Sequence, residues 1–430
     1  MNRLWVCLIV VMAFVGCNSG EGGLSDAVYW SGVHAQTLAF GSADNSEVIK
    51  ALPGGQSAVL VASKSRKLTL LAVGSELTEV RSRNLFLEDG GESELTHVDV
   101  AADGSFAALT RTLPTLDGDT VVDCAGSVVF VDSSNSDSFG EVLAEVPVGP
   151  MPDALDISDD GRWLVTADEV DFNDGKCPLA DVTPSVTIME LPDGSPESAV
   201  VRARIRMIHE PESAHREPEQ VIISEDNDHV AVTLQDTHEL LTFRISSLLA
   251  ETSNGVVVER TSADVTVTRI PNREDGAEPW PDGVHRFETL DGAEYVVTAG
   301  EFNDTFSIFQ WDGTFVKQVS INAADMPSDL PRNLEDWCKA PFRPDSVAPF
   351  SFQGHSYLAF SLKYAGAVGV WRVDDLETIQ QASVVKIGHS EGGTPETEST
   401  IGTEGISATK DGLVLTANEG ESSASLVRPL

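Results

Sequence analysis

One unit recurs along this chain: a lead-in rich in proline and carboxylates, a run of β-forming residues, a turn of Asp, Gly or Asn, and a second such run. It is clearest in "MPDALDISDDGRWLVTADE" (Met151 to Glu169), "WPDGVHRFETLDGAEYVVTAGE" (Trp280 to Glu301) and "GTEGISATKDGLVLTANE" (Gly402 to Glu419), whose second runs all end on Thr-Ala-x-Glu. Four further segments fit: "NSEVIKALPGGQSAVLVASK", "ELTHVDVAADGSFAALTRT", "EPEQVIISEDNDHVAVTLQD" and "RPDSVAPFSFQGHSYLAFSLK". Two β-forming runs joined by such a turn read as a hairpin. A third strand follows each copy ("RKLTLLAV", "GSVVFVD", "SVTIMEL", "ELLTFRI", "TFSIFQW", "AVGVWRV", "SASLVRPL"), and a fourth follows in six.

The seventh copy lacks its fourth strand, and an unassigned one, "HAQTLAFG" (His34 to Gly41), precedes the first copy. The N-terminal strand can therefore complete the last sheet. Repeated four-stranded sheets that cannot bury both faces alone pack radially, so the pattern predicts an all-β, seven-bladed propeller closed by its N-terminal strand. Helical periodicity is absent, which agrees.

The turn "SDDGRW", the lead-in "VGPMPDAL" and the final "EGISATKDGLVLTANEGE" resemble secreted propellers with YVTN-type repeats, and in particular the choice-of-anchor I group, which includes mesenchyme-specific cell-surface glycoproteins. The resemblance runs from about Ser46 to Ser425. It implies a propeller outside the cytoplasm and says little about chemistry.

The N-terminus supports that location. Arg3, the apolar Leu4 to Val15 and Gly16-Cys17 form a secretory signal too short to span a bilayer. "FVGC" resembles a bacterial lipobox, with Phe14 in place of the usual Leu. That resemblance implies residues 1–16 as signal, a diacylglycerol on Cys17, residues 17–26 as a flexible tether and 27–430 as the propeller. Two acyl chains suffice for stable anchoring, so the expected location is the cell envelope, with the membrane as one partner.

The formal net charge is −40. Such a chain offers no basic surface to release counterions from nucleic acid, and leaves a protein or small-molecule ligand at a propeller face as the expected partner. Beyond the signal, Cys124, Cys177 and Cys338 remain, with no metal-ligand spacing. Cys124 and Cys177 precede the third strands of adjacent copies and are the expected disulfide.

In a propeller the lead-ins and the loops joining strands two and three share one face. The lead-ins carry Glu47, Asp153, Glu219, Asp282, Asp345 and Glu404, with Thr96 in the second copy; the loops add Asp168, Glu169, Asp171 and Asp174 in copy three, Glu301 and Asp304 in copy five, and Glu419 and Glu421 in copy seven. Two uses are open for this ring of acids. Carboxylates in tight turns accept N–H bonds from neighbouring strands, locking blade to blade. Converging oxygens also suit Ca²⁺, for which Asp168, Glu169, Asp171, Asp174, Glu301 and Asp304 are the candidate ligands. The insertion "MPSDLPRNLEDWCKAPFRP" (Met326 to Pro344) overhangs the same mouth as a lid or a packing flap.

GxSxG, P-loop, GxGxxG and HExxH motifs are all absent. A binding or scaffold module is the expected function, without assigned catalytic residues. The alternative is a calcium-dependent hydrolase of the phosphatase or phytase kind, since clustered metals can polarise a phosphoryl group and activate water.

Overall fold

The computed structural model describes residues 30–41, 45–87, 93–117, 120–170, 177, 182–207, 216–250, 257–333, 340–388 and 399–430. The signal, Cys17 and the tether, Asp171, Asp174 and Cys338 lie outside the described residues.

After β1 (Gly32–Ala39), the strands form the expected seven blades. Blade one comprises β2 (Ser46–Ala51), β3 (Ser57–Ala62), β4 (Lys67–Val73) and β5 (Leu77–Asn84). Blade two comprises β6 (Glu94–Val100), β7 (Phe106–Asp117), β8 (Thr120–Asp132) and β9 (Val142–Pro147). Blade three holds β10 (Pro152–Ile157), β11 (Trp163–Asp168), β12 (Ser185–Glu190) and β13 (Val200–Arg206). In blade four, β14 (Pro218–Ile223), β15 (His229–Leu234) and β16 (Glu239–Arg244) are followed by α1 (Ile245–Leu249), β17 (Val258–Thr261) and β18 (Thr266–Arg269). Blade five is β19 (Pro281–Glu288), β20 (Glu294–Gly300), β21 (Thr305–Phe309) and β22 (Phe315–Ser320). Blade six is β23 (Pro344–Phe352), β24 (His355–Leu362), β25 (Ala367–Arg372) and β26 (Gln380–Lys386). Blade seven is β27 (Thr403–Ala408), β28 (Val414–Asn418) and β29 (Ser423–Pro429), completed by β1.

The innermost strands touch in a closed ring, β2, β6, β10, β14, β19, β23, β27 and back to β2. Second and third strands are buried almost throughout, as in β3, β12 and β25, because a blade covers each face; outer strands such as β5 and β9 are largely exposed. That is why the inner strands read as continuous apolar runs and the outer ones do not. The core is a set of wedges, one at each of the seven seams between neighbouring blades.

Closure joins the two ends of the chain. β1 pairs antiparallel with β29 from Gly32 opposite Pro429 to Ala39 opposite Ser423. Trp30, fully buried at the seam of blades six and seven, donates its Nε1–H to the Gly412 carbonyl (3.0 Å) and its backbone N–H to the Tyr357 hydroxyl (3.1 Å).

One departure from the repeat occurs in blade four. Between its third and outer strands the chain makes the helical turn α1 and then β17, which pairs in parallel with β13 of blade three. Blade three thereby gains a fifth strand, and the seam between blades three and four is bridged at its outer edge.

Candidate functional site

In all seven blades the pairing of the first two strands shifts register at the lead-in: at Ser46/Val48, Leu95/His97, Pro152/Ala154, Pro218/Val221, Pro281/Val284, Pro344/Val347 and Thr403/Ile406. A bulge takes a residue out of the ladder and re-aims its side chain. The residues inside these gaps include Glu47, Thr96, Asp153, Glu219, Asp282, Asp345 and Glu404, and all seven border one cavity of about 390 Å³ at the channel mouth.

The bulges are held by the preceding blade through their backbone carbonyls. Thr96 and Thr110 of blade two donate to the carbonyls of Pro152 (2.7 Å) and Asp153 (3.2 Å), and Thr233 of blade four donates to that of Asp282 (2.7 Å). Carboxylates that accept a neighbouring blade's backbone N–H lie deeper in the channel: Asp99 accepts from Ile157 (2.9 Å) and Asp156 from Ile223 (2.8 Å). Blade-to-blade bonds are thus made by the lead-in carbonyls and by carboxylates deeper in the channel.

The register defines a second ring, one residue beyond the last residue of each second strand that pairs with the first: Ser63, Leu113, Glu169, Gln235, Glu301, Lys363 and Glu419. In six blades the backbone N–H at this position donates to the carbonyl just before the lead-in strand: Ser63 to Asn45, Glu169 to Met151, Gln235 to Glu217, Glu301 to Trp280, Lys363 to Arg343 and Glu419 to Gly402, at 2.9–3.2 Å. Five of those acceptors, Asn45, Met151, Trp280, Arg343 and Gly402, have left-handed backbones with φ between 43° and 55°. The turn they make sets the second ring beside the lead-in ring.

The three Thr-Ala-x-Glu copies now separate into two parts. The x residue is a buried hub. Asp168 is fully buried and accepts hydroxyl bonds from Thr166, Ser185 and Thr187, each at 2.7 Å; burial pushes its carboxyl up to about 6. Gly149 of "VGPMPDAL" backs onto it, and a Cβ there would come within 2.1 Å of Asp168 Oδ2. In blade seven Asn418 has the same place, accepting from Thr416 and donating to Ser423 and Ser425. In blade five x is Gly300, and a Cβ would come within 2.5 Å of Asn303 Oδ1, the hub that accepts from Thr305. The final glutamates, Glu169, Glu301 and Glu419, belong to the second ring.

Those glutamates build three carboxylate clusters, each with one ligand oxygen per residue within 4.8 Å of the others: Glu169 with Glu217 and Glu219, Glu301 with Asp282 and Asp345, and Glu419 with Glu404 and Glu47. Each cluster lies at a seam, between blades three and four, five and six, and seven and one. Two full charges at that distance repel by about 3–4 kcal/mol at an effective dielectric of 20, so three ionised carboxylates demand a proton or a cation. Burial and the neighbouring carboxylates raise Glu47, Glu219 and Asp282 well above the usual range, and burial pushes Asp345 up to about 7.

Among the described residues, Lys363 and Arg343 bring positive charge to this mouth. Lys363, in the second ring of blade six, contacts Glu404 and lies 3.6 Å from Asp345. Burial opposes ionisation of Glu404, but Lys363 outweighs it and holds the group below its ordinary value. Arg343 contacts Glu301 and lies between the rings of Phe302 and Tyr364, 4.7 and 5.0 Å from their centroids.

Of the candidate calcium ligands, Glu169 and Glu301 stand in the seam clusters, on different seams. Asp168 turns into its hydroxyl hub. Asp304 is fully enclosed, accepts the backbone N–H groups of Phe342 and Arg343, and is pushed up to about 8 by burial; it holds the end of the 326–344 insertion rather than facing the mouth. Cys124 and Cys177 are disulfide-bonded, with Cα atoms 5.8 Å apart, and pack on Met151 and Val170 beside the same mouth. Glu217 and Lys363 were absent from the sequence candidates. A larger cleft, about 790 Å³, lies at the rim of blades four and five, where Arg244 is paired with Asp228 at 2.6 Å.

A family comparison bears on the first four blades, from the lead-in acid of the first to the insertion of the fourth. Residues 47–256 match the model of the choice-of-anchor I domain. The choice-of-anchor I domain points to a secreted or cell-surface protein, and none of the described helices is long and apolar enough to cross a membrane. None of the curated proteins matches the chain in sequence. Among solved structures it is similar to a streptogramin B lyase (TM-score 0.55, 14% identity, covering 92% of this chain and 97% of that one). It is also similar to the hydrazine synthase of Kuenenia stuttgartiensis (0.53, 13%, 95% and 99%) and to a chain of a mitotic checkpoint complex (0.57, 10%, 98% and 98%). At these identities the likeness is one of fold, which around the choice-of-anchor I domain continues through all seven blades.

Proposed function

We propose that this protein is an extracytoplasmic binding or scaffold module, held at the cell envelope by a diacylglycerol on Cys17, that receives a cationic ligand at the mouth of its channel. The observation that carries this reading is the convergence of six lead-in carboxylates on one cavity of about 390 Å³, beside second-ring glutamates that form three seam clusters. Fold alone does not dictate function; the chemistry of this mouth does favour positive charge. The hydrolase reading has less support, because among the described residues Arg343 and Lys363, cations beside the cavity, are both engaged by carboxylates.

The test is calorimetric titration of the full chain with oligolysine at low and high salt. Saturable binding is expected, weakened by half a molar salt and lost in the Glu47→Gln, Asp282→Asn, Glu404→Gln variant. A control neutralising the exposed Glu79, Asp193 and Glu197 should bind as wild type. If the control loses affinity as much as the mouth variant, binding reflects net charge alone and the reading fails. Separately, Cys17→Ser should abolish incorporation of labelled fatty acid; labelling that persists would remove the anchor.

A further inference from the structure

The repeat itself indicates what a seam can hold. At the seam of blades six and seven the second-ring residue is Lys363, and its ammonium lies between two lead-in acids, touching Glu404 and 3.6 Å from Asp345. The lead-in and second-ring scaffold can therefore place a cation between adjacent blades. At the seam of blades three and four the same position carries Glu169, and the next lead-in supplies Glu219 and, just before Pro218, Glu217.

Two observations turn that substitution into a site. A ligand oxygen from each glutamate lies within 4.8 Å of the others, and oxygens sharing one Ca²⁺ at about 2.3–2.6 Å can be at most about 4.6–5.2 Å apart. Glu219 is only 8% exposed and borders the mouth cavity, yet among the described residues its carboxylate accepts no hydrogen bond. A buried carboxylate without donors needs a counter-ion or a proton. We infer that the seam between blades three and four binds a hard divalent cation, Ca²⁺, through Glu169, Glu217 and Glu219. The inference rests on the reading of the mouth as a cation receptor and names the ion and its seam. The bound ion ties blade three to blade four on the inside, at the seam that β17 bridges on the outside.

Calcium alone, titrated into the full chain by calorimetry, tests this, with terbium luminescence sensitised by Trp280, which borders the same cavity. Glu219→Gln and Glu169→Gln should each weaken Ca²⁺ binding at least tenfold, while Asp193→Asn leaves it unchanged. Should either variant misfold, wild-type hydrogen exchange gives a second readout. Ca²⁺ should slow exchange of the Glu169 and Gln235 amides, which brace this seam, more than that of Lys363. Oligolysine binding without Ca²⁺ binding would overturn the inference and leave the mouth reading intact; absence of both would overturn the two together. Ca²⁺ binding that survives both substitutions, or equal protection at all three amides, would remove the site from this seam.

Discussion

Replacing Asp168 separates a structural hub from a metal ligand. Three hydroxyls, of Thr166, Ser185 and Thr187, donate to its buried carboxylate at 2.7 Å each. Asp168→Ala leaves all three without their acceptor. A hydrogen bond to a charged group contributes about 1.5–3 kcal/mol, and an unsatisfied buried donor costs about 1–3. Hydroxyls can rotate to other acceptors, so about 1 kcal/mol apiece is a fair lower figure. The void left by the carboxyl adds about 1 kcal/mol, giving an expected loss of about 3–5 kcal/mol. Asp168→Asn should behave differently, because Asn418 shows how an amide serves the same hub: its Oδ1 accepts one hydroxyl and its Nδ2 donates to two. That variant should lose about 1 kcal/mol or less. Urea denaturation followed by tryptophan fluorescence measures both. If Asp168→Ala costs under about 1 kcal/mol, or if Asp168→Asn abolishes Ca²⁺ binding without changing stability, the hub assignment is refuted and Asp168 is a ligand.

Three further expectations follow. Asp168 holds its proton more tightly when folded, since burial raises it to about 6; its contribution is fully present below about pH 4 and lost as pH rises through 6. The urea midpoint of wild type relative to Asp168→Asn should accordingly fall from about pH 4 to about pH 6 and level off above that, and parallel profiles would contradict this. Reducing the Cys124–Cys177 bridge frees a 53-residue loop, for which chain entropy sets a loss of about 4 kcal/mol; an unchanged midpoint in reductant would show that the bridge adds nothing. Trp30→Ala removes a fully buried indole and its bond to Gly412, at about 3–5 kcal/mol, and should speed amide exchange along β29 first; uniform exchange would contradict closure through β1.

The fold was legible because each blade begins with a hairpin, and hairpins announce themselves locally by two β-forming runs and a turn. The missing fourth run of the last copy and the spare strand at the start pointed to closure for the same reason. β17 was not legible. Its four residues, "VERT", show no apolar run, and their pairing is parallel to β13 in another blade, a contact no local pattern encodes. The Cys124–Cys177 bridge was the easier inference, since each residue stands upstream of the apolar run of the third strand in neighbouring repeats, "GSVVFVD" and "SVTIMEL".

The acids were visible as residues but not as clusters, and the reason is the pleat. Asp168 and Glu169 are adjacent in sequence, so they point to opposite sides: Asp168 is the last paired residue of β11, opposite Pro152, and Glu169 stands beyond the ladder. Treating the whole acidic loop of copy three as one candidate site merged a hub with a mouth residue. Aligning the seven copies on the last residue of the second strand that pairs with the first separates them and yields the column Ser63, Leu113, Glu169, Gln235, Glu301, Lys363, Glu419. From blade three onward this column alternates between a carboxylate and a residue that is not one. The lead-in ring over the same blades is acidic throughout, so carboxylate clusters form at every second seam, with Gln235 and Lys363 at the seams between. Gln235 donates to Glu301 (3.3 Å) and Lys363 contacts Glu404, so the spacers themselves satisfy acids of the neighbouring clusters. A cation approaching this mouth therefore meets three separated carboxylate seams rather than an even ring of charge. The one between blades three and four holds Glu219, the buried carboxylate that neither spacer reaches.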